Sequence, residues 1–363
     1  MEYLQSRIAT LHDLDDPRPA APTDQAAVVV PMTEREYAGL AAERVLRTLE
    51  DINPAKVIIP LRASKEKVAS FYQWLTGYDL SLEILWCDGP HMAELLSEYE
   101  LDGVRGKGRD VWLALGRAAQ EEFVVVHDAD TKSYSSSFLL RLLFPLGEGY
   151  DFSKAYYARV EDSQLYGRLF RLFYLPLVRV LAEAHPGAYL RYLDAYRYGL
   201  AGEFAATSRV VKQLRAPRTW GLEIGTLADA FRTAGFESSV QVDLGRYEHD
   251  HRAVSGPAGL SDMAESVAAT LFRSVEEQGI QIQYDSLRRR YRTAATKLLD
   301  QYQLDAGFNA FQYDREAEFA QIDTYATAIT PDLSDSRMPS WSSTDINPDE
   351  VSEAAKKDAS RVV

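Results

Sequence analysis

Cysteine is nearly absent from this sequence: its 363 residues include one, Cys87. A single cysteine excludes an internal disulfide framework and a zinc site built from several thiolates. A lone cysteine can be a nucleophile, but it is more often a small structural residue. We therefore interpret Cys87 as a small residue at the end of a strand.

Long apolar runs are missing as well. No stretch reaches the roughly 18 apolar residues that a membrane-spanning helix needs, and the most apolar one, 165–181, is interrupted by Arg168, Arg171 and Arg179. Residues 1–25 lack the basic start and unbroken apolar segment of a signal peptide. We therefore expect a cytoplasmic protein without a membrane span.

Positive charge is in short supply. The chain has 40 Lys and Arg against 54 Asp and Glu, a formal net charge of −14. Proteins that bind nucleic acids usually carry an excess of basic residues, so this class is excluded. The many acids and few lysines are compatible with growth in high salt, but composition leaves that question open.

The first half of the chain alternates short apolar strands with helices. Strands are predicted at 26–30, 57–59, 82–86 and 123–126, and helices at 34–49, 64–75, 91–100 and 109–120. Wholly apolar strands separated by helices indicate a mostly parallel sheet covered on both faces. Such doubly wound α/β folds bind nucleotides at the carboxyl ends of their strands.

The alternation fades in the second half of the chain. Further strands are predicted at 155–160 and 239–244, and helices at 167–184, 222–233, 262–278 and 284–302. We expect an N-terminal segment (1–25), a catalytic α/β domain (26–260), a helical extension (261–330) and a tail (331–363). The tail is polar and has few large apolar residues, so we expect it to be disordered.

Two carboxylates follow the last strand of the alternating region, in the sequence His127-Asp128-Ala129-Asp130. Oxygen ligands at a strand end suit Mg²⁺ or Mn²⁺, which commonly joins a carboxylate to a diphosphate. Aspartate is also a favoured turn residue, so a simple turn is the alternative.

A glycine-lysine-glycine segment, Gly106-Lys107-Gly108, stands before Trp112. Glycines allow the backbone to approach a phosphate closely, and the lysine offers a point charge. The spacing is not that of a P-loop. A plain loop before a helix is the alternative.

Three further patterns are weaker when each is taken alone. Glutamates accompany glycines at 199–203 and 220–225, either for function or because a helix N-terminus favours acids. His249 and His251 could ligate a metal or lie in a solvated loop. Arg168 and Arg171 stand one helical turn apart and could grip an anion, or be solvated charges on an amphipathic helix.

Taken in order, these segments resemble the glucosyl-3-phosphoglycerate synthases, retaining transferases of glycosyltransferase family 81 with a GT-A fold. The resemblance covers roughly residues 26–280. Its motifs are G-K-G-x-x-x-W at 106–112, D-x-D at 128–130, a P-L-[AG]-G-E equivalent at 199–203, G-[VL]-E-I-G at 221–225 and an N-L-G-x-x-E-H equivalent at 243–249.

The resemblance implies a role for each matching residue. Asp130 and His249, with Asp128, would hold Mg²⁺ or Mn²⁺, and Asp130 and Glu223 would be catalytic, with Glu223 orienting the sugar. The donor would contact the following residues: Pro31, Thr33, Glu34, Glu36, Gly106, Lys107, Asp128, Ala129, Asp130 and Glu223. The acceptor would contact Gly167, Arg168, Arg171, Gly202 and His251.

The sequence departs from the family pattern at both pockets. The first two strands end in Pro31–Glu36 and Pro60–Ser64 rather than P-A-L-N-E-E and D-S-x-S. Phe170 replaces a threonine of the acceptor motif G-R-x-T, and His251 replaces an asparagine. The nucleotide base and the acceptor are therefore the least determined features.

The function that the resemblance implies is transfer of glucose from a nucleoside-diphosphate sugar to 3-phosphoglycerate, in a compatible-solute pathway. No carboxylate is an evident covalent nucleophile, so we expect front-face attack. One alternative keeps the fold and changes the sugar to mannose or the acceptor to polyprenyl phosphate. Another is an inactive protein that binds nucleotide sugars. The sequence also allows a homodimer.

Overall fold

The computed structural model describes residues 5–250, 257–331 and 335–362. Within these ranges a ten-stranded sheet forms the centre of the molecule. The strands are β1 (Ala9–Leu11), β2 (Ala26–Val29), β3 (Met32–Thr33), β4 (Lys56–Arg62), β5 (Leu82–Trp86), β6 (Phe123–Val126), β7 (Phe152–Glu161), β8 (Gln164–Leu165), β9 (Phe204–Thr207) and β10 (Ser239–Tyr247).

The strand order brings the functional segments to one edge. Across the sheet the order is β5-β4-β2-β6-β9-β7-β10-β1, with β3 continuing β2 alongside β4. All neighbours are parallel except β9, which is antiparallel to β6 and β7, and β8, which forms a hairpin with β7. Because β9 is reversed, the segment before it meets the carboxyl ends of β6, β7 and β10.

Helices cover both faces of the sheet and continue into the second half of the chain. They are α1 (Leu40–Ile52), α2 (Lys65–Leu75), α3 (Pro90–Glu98), α4 (Lys107–Ala118), α5 (Ser136–Gly147), α6 (Leu175–Ala184), α7 (Ala188–Ala195), α8 (Ser208–Val211), α9 (Leu222–Thr233), α10 (Pro257–Glu276), α11 (Tyr284–Phe308), α12 (Arg315–Thr327) and α13 (Pro348–Ala359). A π-helix, Leu169–Tyr174, leads into α6. Among the described residues no helix is both long enough and apolar enough to cross a membrane.

One predicted helix is split. The prediction of a helix over 34–49 was wrong at its start, where a 3₁₀ turn at Glu34–Glu36 precedes α1. The turn closes because Glu36 accepts hydrogen bonds from the backbone and hydroxyl of Thr33, at 2.6 and 2.7 Å. Ala38 then adopts a left-handed conformation (φ 48°), which ends the turn.

The expectation of a disordered tail was wrong for the described residues after 334. Trp341 stacks on Trp112 with ring centroids 4.3 Å apart, and its indole donates to the Trp112 carbonyl at 2.8 Å. A glycine at position 116 makes space for this stacking, since a Cβ there would lie 2.2 Å from the Trp341 ring. The low average hydropathy of the tail led to the wrong prediction, because a few large apolar residues in it are each buried.

Helix α13 fixes the end of the chain to the domain. It packs on α3, α4 and β5. The buried Asp358 carboxylate accepts from the backbone of His91 at 2.9 Å and of Met92 at 3.1 Å, at the start of α3. A carboxylate at a helix N-terminus satisfies free N–H groups and complements the helix dipole.

Candidate active site

A cleft of about 860 Å³ opens at the carboxyl ends of β2, β4 and β6. Its size falls within the range of ligand pockets. It is lined by nine of the ten residues predicted to bind the donor: Pro31, Thr33, Glu34, Glu36, Gly106, Lys107, Asp128, Ala129 and Asp130. The tenth, Glu223, lies outside the lining.

The start of α4 places Lys107 against the D-x-D segment. Its Nζ lies 2.5 Å from Oδ1 of Asp128. Burial alone would lower the pKa of Lys107, but the charges of Asp128 and Glu223 outweigh it and raise that pKa. The raised pKa favours the cationic form of Lys107, and a cation at a helix N-terminus is an arrangement suited to a diphosphate.

The second glycine of the G-K-G segment is required by close packing. A Cβ on Gly108 would lie 1.6 Å from the carbonyl oxygen of Pro217, and the backbone of Arg109 donates to Arg218 at 3.1 Å. The glycine thus lets the segment 217–219 pass against α4. Thr219 and Trp220, which follow, line the cleft.

Asp130 and His249 form a pair at the mouth of the cleft. Nδ1 of His249 lies 3.4 Å from Oδ1 of Asp130. The backbone of Asp250 donates to the Asp130 carbonyl at 2.7 Å, which ties the two segments together. Burial raises the pKa of Asp130, but the hydrogen bond with His249 and the charge of Lys107 hold it below its ordinary value.

This pair offers an oxygen and a nitrogen ligand, a donor set that Mn²⁺ or Mg²⁺ can accept. Asp128 does not join it, because its Oδ1 is paired with Lys107. In the described part of the chain no three His, Cys, Asp or Glu side chains converge as a metal site. The described residues therefore bring two of the three predicted ligands together, and the set of three stays a prediction.

Glu203 is buried close to Asp128 and His249. Its carboxylate accepts hydrogen bonds from the hydroxyls of Tyr157, at 2.9 Å, and Tyr247. Burial and the nearby charge of Asp128 raise the pKa of Glu203. The preceding Gly202 packs against Asp128, since a Cβ on it would lie 2.9 Å from Oδ2. The glycine-glutamate segment thus positions the first aspartate.

A buried lysine on β7 supports the same segment. Lys154 is fully buried and donates to the carbonyl of Ala201. Burial lowers the pKa of Lys154 to about 8, while the charges of Glu223 and Glu203 act in the opposite direction. Sequence reasoning missed Lys154; a lysine inside an otherwise apolar strand was the available signal.

The predicted acceptor residues separate in the structure. Arg171 is buried and makes four hydrogen bonds, to the carbonyls of Leu165 and Tyr166 and to both oxygens of Glu318. Its donors are engaged inside the protein, so the assignment of Arg171 to the acceptor site is corrected. Arg168 is half exposed, and its Nε lies 3.9 Å from Oε1 of Glu318, a longer contact than those of Arg171. It follows Gly167, which has φ 80°.

Two of the predicted acceptor residues need separate mention. Gly202 lies against Oδ2 of Asp128, the aspartate whose Oδ1 is paired with Lys107. His251 lies outside the described residues.

The chain was compared with known proteins. No family model matches it. The glucosyl-3-phosphoglycerate synthase of Methanococcoides burtonii is 32% identical, over 94% of this chain and 93% of that protein. The synthase of Persephonella marina is 33% identical, over 83% of this chain and 79% of that protein. The chain belongs to the glucosyl-3-phosphoglycerate synthase family.

Solved structures agree on the fold. The synthase of Mycobacterium tuberculosis in complex with Mn²⁺, UDP-glucose and phosphoglyceric acid has a TM-score of 0.55 and 23% identity, over 76% of this chain and 89% of that one. The same enzyme with Mn²⁺, UDP-glucose and glycerol 3-phosphate gives a TM-score of 0.54. The predicted GT-A fold and the prediction of a glycosyltransferase are confirmed.

Proposed function

We propose that this chain transfers glucose from UDP-glucose to 3-phosphoglycerate, giving glucosyl-3-phosphoglycerate and UDP. The observation that carries the proposal is the pairing of Lys107 with Asp128 beside the pairing of Asp130 with His249, in a chain of this family. A cation and a metal-binding pair at one edge of the cleft suit a diphosphate leaving group.

The leaving diphosphate meets two sources of positive charge in this proposal. Asp130 and His249, which we call the metal pair, would hold Mg²⁺ or Mn²⁺, which when bound neutralises negative charge on the diphosphate. Lys107 and the N-terminus of α4 act on the same group. Electrostatic stabilisation of this kind is commonly the largest contribution to catalysis.

Front-face attack is the proposed route to retention. A double displacement needs a free carboxylate, but both oxygens of Glu203 accept hydrogen bonds from tyrosines and Asp128 is paired with Lys107. In the proposed step the acceptor hydroxyl oxygen bonds to the anomeric carbon as the bond to the diphosphate breaks. The hydroxyl proton passes to a departing phosphate oxygen. The charge of Glu223 acts on both Lys107 and Lys154 and favours the cationic form of each. We propose that Glu223 orients the sugar.

The small anionic acceptor would bind on the β7 and β10 side of the metal pair. Gly167 and Arg168 follow the β7–β8 hairpin, and the side chain of Arg168 is 44% exposed. Phe170 is buried against Tyr198 and Tyr174. The residue that replaces the family threonine therefore fills the interior instead of adding a hydroxyl to the site.

We also propose that the enzyme acts in the cytoplasm and as a homodimer. Support for a homodimer comes from the end of α11, where Leu304 is 77% exposed and Phe308 is 88% exposed on one face. Sedimentation velocity on the full chain tests it: a dimer supports the proposal and a monomer at micromolar concentration rejects it.

The proposed reaction is tested by release of UDP from purified protein with Mg²⁺ or Mn²⁺ present. UDP-glucose, GDP-glucose and GDP-mannose are compared as donors, and 3-phosphoglycerate, glycerol 3-phosphate and glycerate as acceptors. We expect UDP-glucose with 3-phosphoglycerate to give the highest kcat/KM. Binding of UDP-glucose without turnover of any acceptor would favour an inactive nucleotide-sugar-binding protein.

A further inference from the structure

Arg159, near the end of β7, is a partly buried cation that forms no ion pair in the described part of the chain. Four buried arginines have carboxylate partners: Arg109 with Asp110, Arg117 with Glu83, Arg141 with Asp13 and Arg171 with Glu318. A fifth, Arg218, donates to the carbonyl of Leu101 at 2.9 Å instead. The Nε of Arg159 is buried and has no hydrogen-bond partner. Burying a guanidinium without a counter-ion destabilises the protein, so a bound anion would compensate the charge at this position.

The surroundings of Arg159 are aromatic rather than acidic. Burial would lower the pKa of Arg159, but the nearby hydroxyls of Tyr198, which also hydrogen-bonds to the guanidinium, Tyr157 and Tyr247 raise that pKa. Two of these hydroxyls, those of Tyr157 and Tyr247, already donate to Glu203. A tyrosine hydroxyl is uncharged at neutral pH, so these neighbours do not neutralise the charge of the guanidinium.

The position of Arg159 lies between the metal pair and the Gly167 turn. In the sheet register it is opposite Tyr247, two residues before His249. Its carbonyl accepts from the backbone of Tyr166 at 2.9 Å, directly before Gly167. A Cβ on Gly167 would lie 3.0 Å from the Tyr198 hydroxyl, which adjoins the guanidinium.

We propose that Arg159 binds the carboxylate of the acceptor and makes the enzyme prefer an acidic acceptor over its alcohol analogue. The proposal rests on the proposed function. A guanidinium binds a carboxylate through two parallel hydrogen bonds, a geometry that a lysine cannot provide.

We assign the acceptor carboxylate to Arg159 and the acceptor phosphate to Arg168 because of where the two arginines lie relative to the metal pair. In 3-phosphoglycerate the carboxylate is attached to the carbon that bears the hydroxyl, whereas the phosphate is one carbon and an ester oxygen further away. Arg159 is on the strand next to His249, and Arg168 lies beyond the hairpin. The group nearer the reacting hydroxyl therefore faces the arginine nearer the metal pair.

Two acceptors separate the roles of the two arginines. Glycerol 3-phosphate keeps the phosphate and lacks the carboxylate. For Arg159→Gln we expect kcat/KM for 3-phosphoglycerate to fall roughly 10- to 100-fold, the effect of one charge-assisted contact. The value for glycerol 3-phosphate should change less than about threefold, and Arg159→Lys should recover part of the loss. Arg168→Ala should weaken both acceptors alike.

The controls separate binding from folding. Arg179→Ala removes a half-exposed arginine from α6 and should change neither acceptor. UDP-glucose affinity by calorimetry should match the parent in Arg159→Gln and Arg159→Lys, and the melting temperature of either variant should not fall below that of the parent. Equal losses for both acceptors, or an unchanged preference for 3-phosphoglycerate, would overturn the proposal.

Failure of the proposed function would be recognised separately. Calorimetric titration of 3-phosphoglycerate into the parent and into Arg159→Gln, with UDP and Mn²⁺ present, measures acceptor binding without transfer. Weaker binding by the variant supports the role of Arg159 even if the parent transfers no glucose. Equal binding by both proteins rejects that role, whatever the activity.

Discussion

Lys107 and Asp128 form an ion pair, with Nζ of the lysine 2.5 Å from Oδ1 of the aspartate. The two aspartates of the D-x-D segment therefore have different partners, because the second one, Asp130, is paired with His249. In the proposed site the first aspartate thus orients a cation, and the second would offer a ligand to a metal. Two positive charges can then act on one diphosphate.

Replacement of Lys107 by alanine should weaken donor binding. The variant loses a charge-assisted contact, worth about 1.5–3 kcal/mol, so we expect roughly 10- to 100-fold weaker binding of UDP-glucose by calorimetry. Lys297→Ala, at an exposed position of α11, is the control and should bind like the parent. Unchanged affinity in Lys107→Ala would remove Lys107 from the donor site.

The metal pair should be essential for catalysis. We expect Asp130→Asn and His249→Ala each to lower kcat at least about 100-fold, as loss of one electrostatic stabiliser does elsewhere, and to weaken Mn²⁺ binding measured by paramagnetic resonance. Asp285→Asn, at a fully exposed carboxylate, should match the parent in both measurements. Parent-like Mn²⁺ affinity in both site variants would refute the assignment.

Lys154 should make the stability of the protein depend on pH. Burial lowers its pKa from 10.5 to about 8 in the folded state. Between these pH values the unfolded chain binds the additional proton, so the free energy of unfolding should rise with pH, by at most about 1.4 kcal/mol per unit. Below pH 8 both states are protonated and the folded state bears the full cost of the buried charge.

The comparison with Lys154→Met isolates this effect. Urea denaturation at pH 7, 8.5 and 10 gives the free energy of unfolding of both proteins. The parent should gain stability relative to the variant as pH rises from 8 to 10. A difference that stays constant over this range would show that Lys154 keeps an ordinary pKa.

The C-terminal segment should contribute to stability. Trp341→Ala leaves a cavity against Trp112 and Gly116, and large-to-small changes of buried tryptophan cost about 3–5 kcal/mol. We expect a clear fall in melting temperature. Leu40→Ala, at an 84% exposed position, should stay within about 0.5 kcal/mol of the parent. Equal melting temperatures for the two variants would show that the segment is not held by Trp341.

The sequence predicted the sheet and the donor edge because their signals are local. Strands β2 and β6 are apolar throughout since they are buried on both faces. Lys107, Asp128 and Asp130 follow directly from short motifs at element ends. These positions are set by the chain within a few residues, so a linear pattern can reveal them.

Other residues could not be assigned because their partners are distant in sequence. Arg171 looked like a ligand for an anion, but its carboxylate, Glu318, comes 147 residues later. The sequence could not predict a binding role for Arg159, since a single arginine in a strand stands out only once the structure shows which charges surround it. The C-terminal segment was missed because Trp341 and Asp358 are buried by elements far earlier in the chain.

The most direct test of the central claim is identification of the product. The parent protein with Mn²⁺, UDP-glucose and 3-phosphoglycerate is analysed by mass spectrometry and proton NMR, beside Asp130→Asn as a control. We predict a product with the mass of 3-phosphoglycerate plus one anhydroglucose unit, an α-anomeric proton, and stoichiometric UDP, all absent from the control. UDP and free glucose without that product, or a β-anomer, would contradict the account.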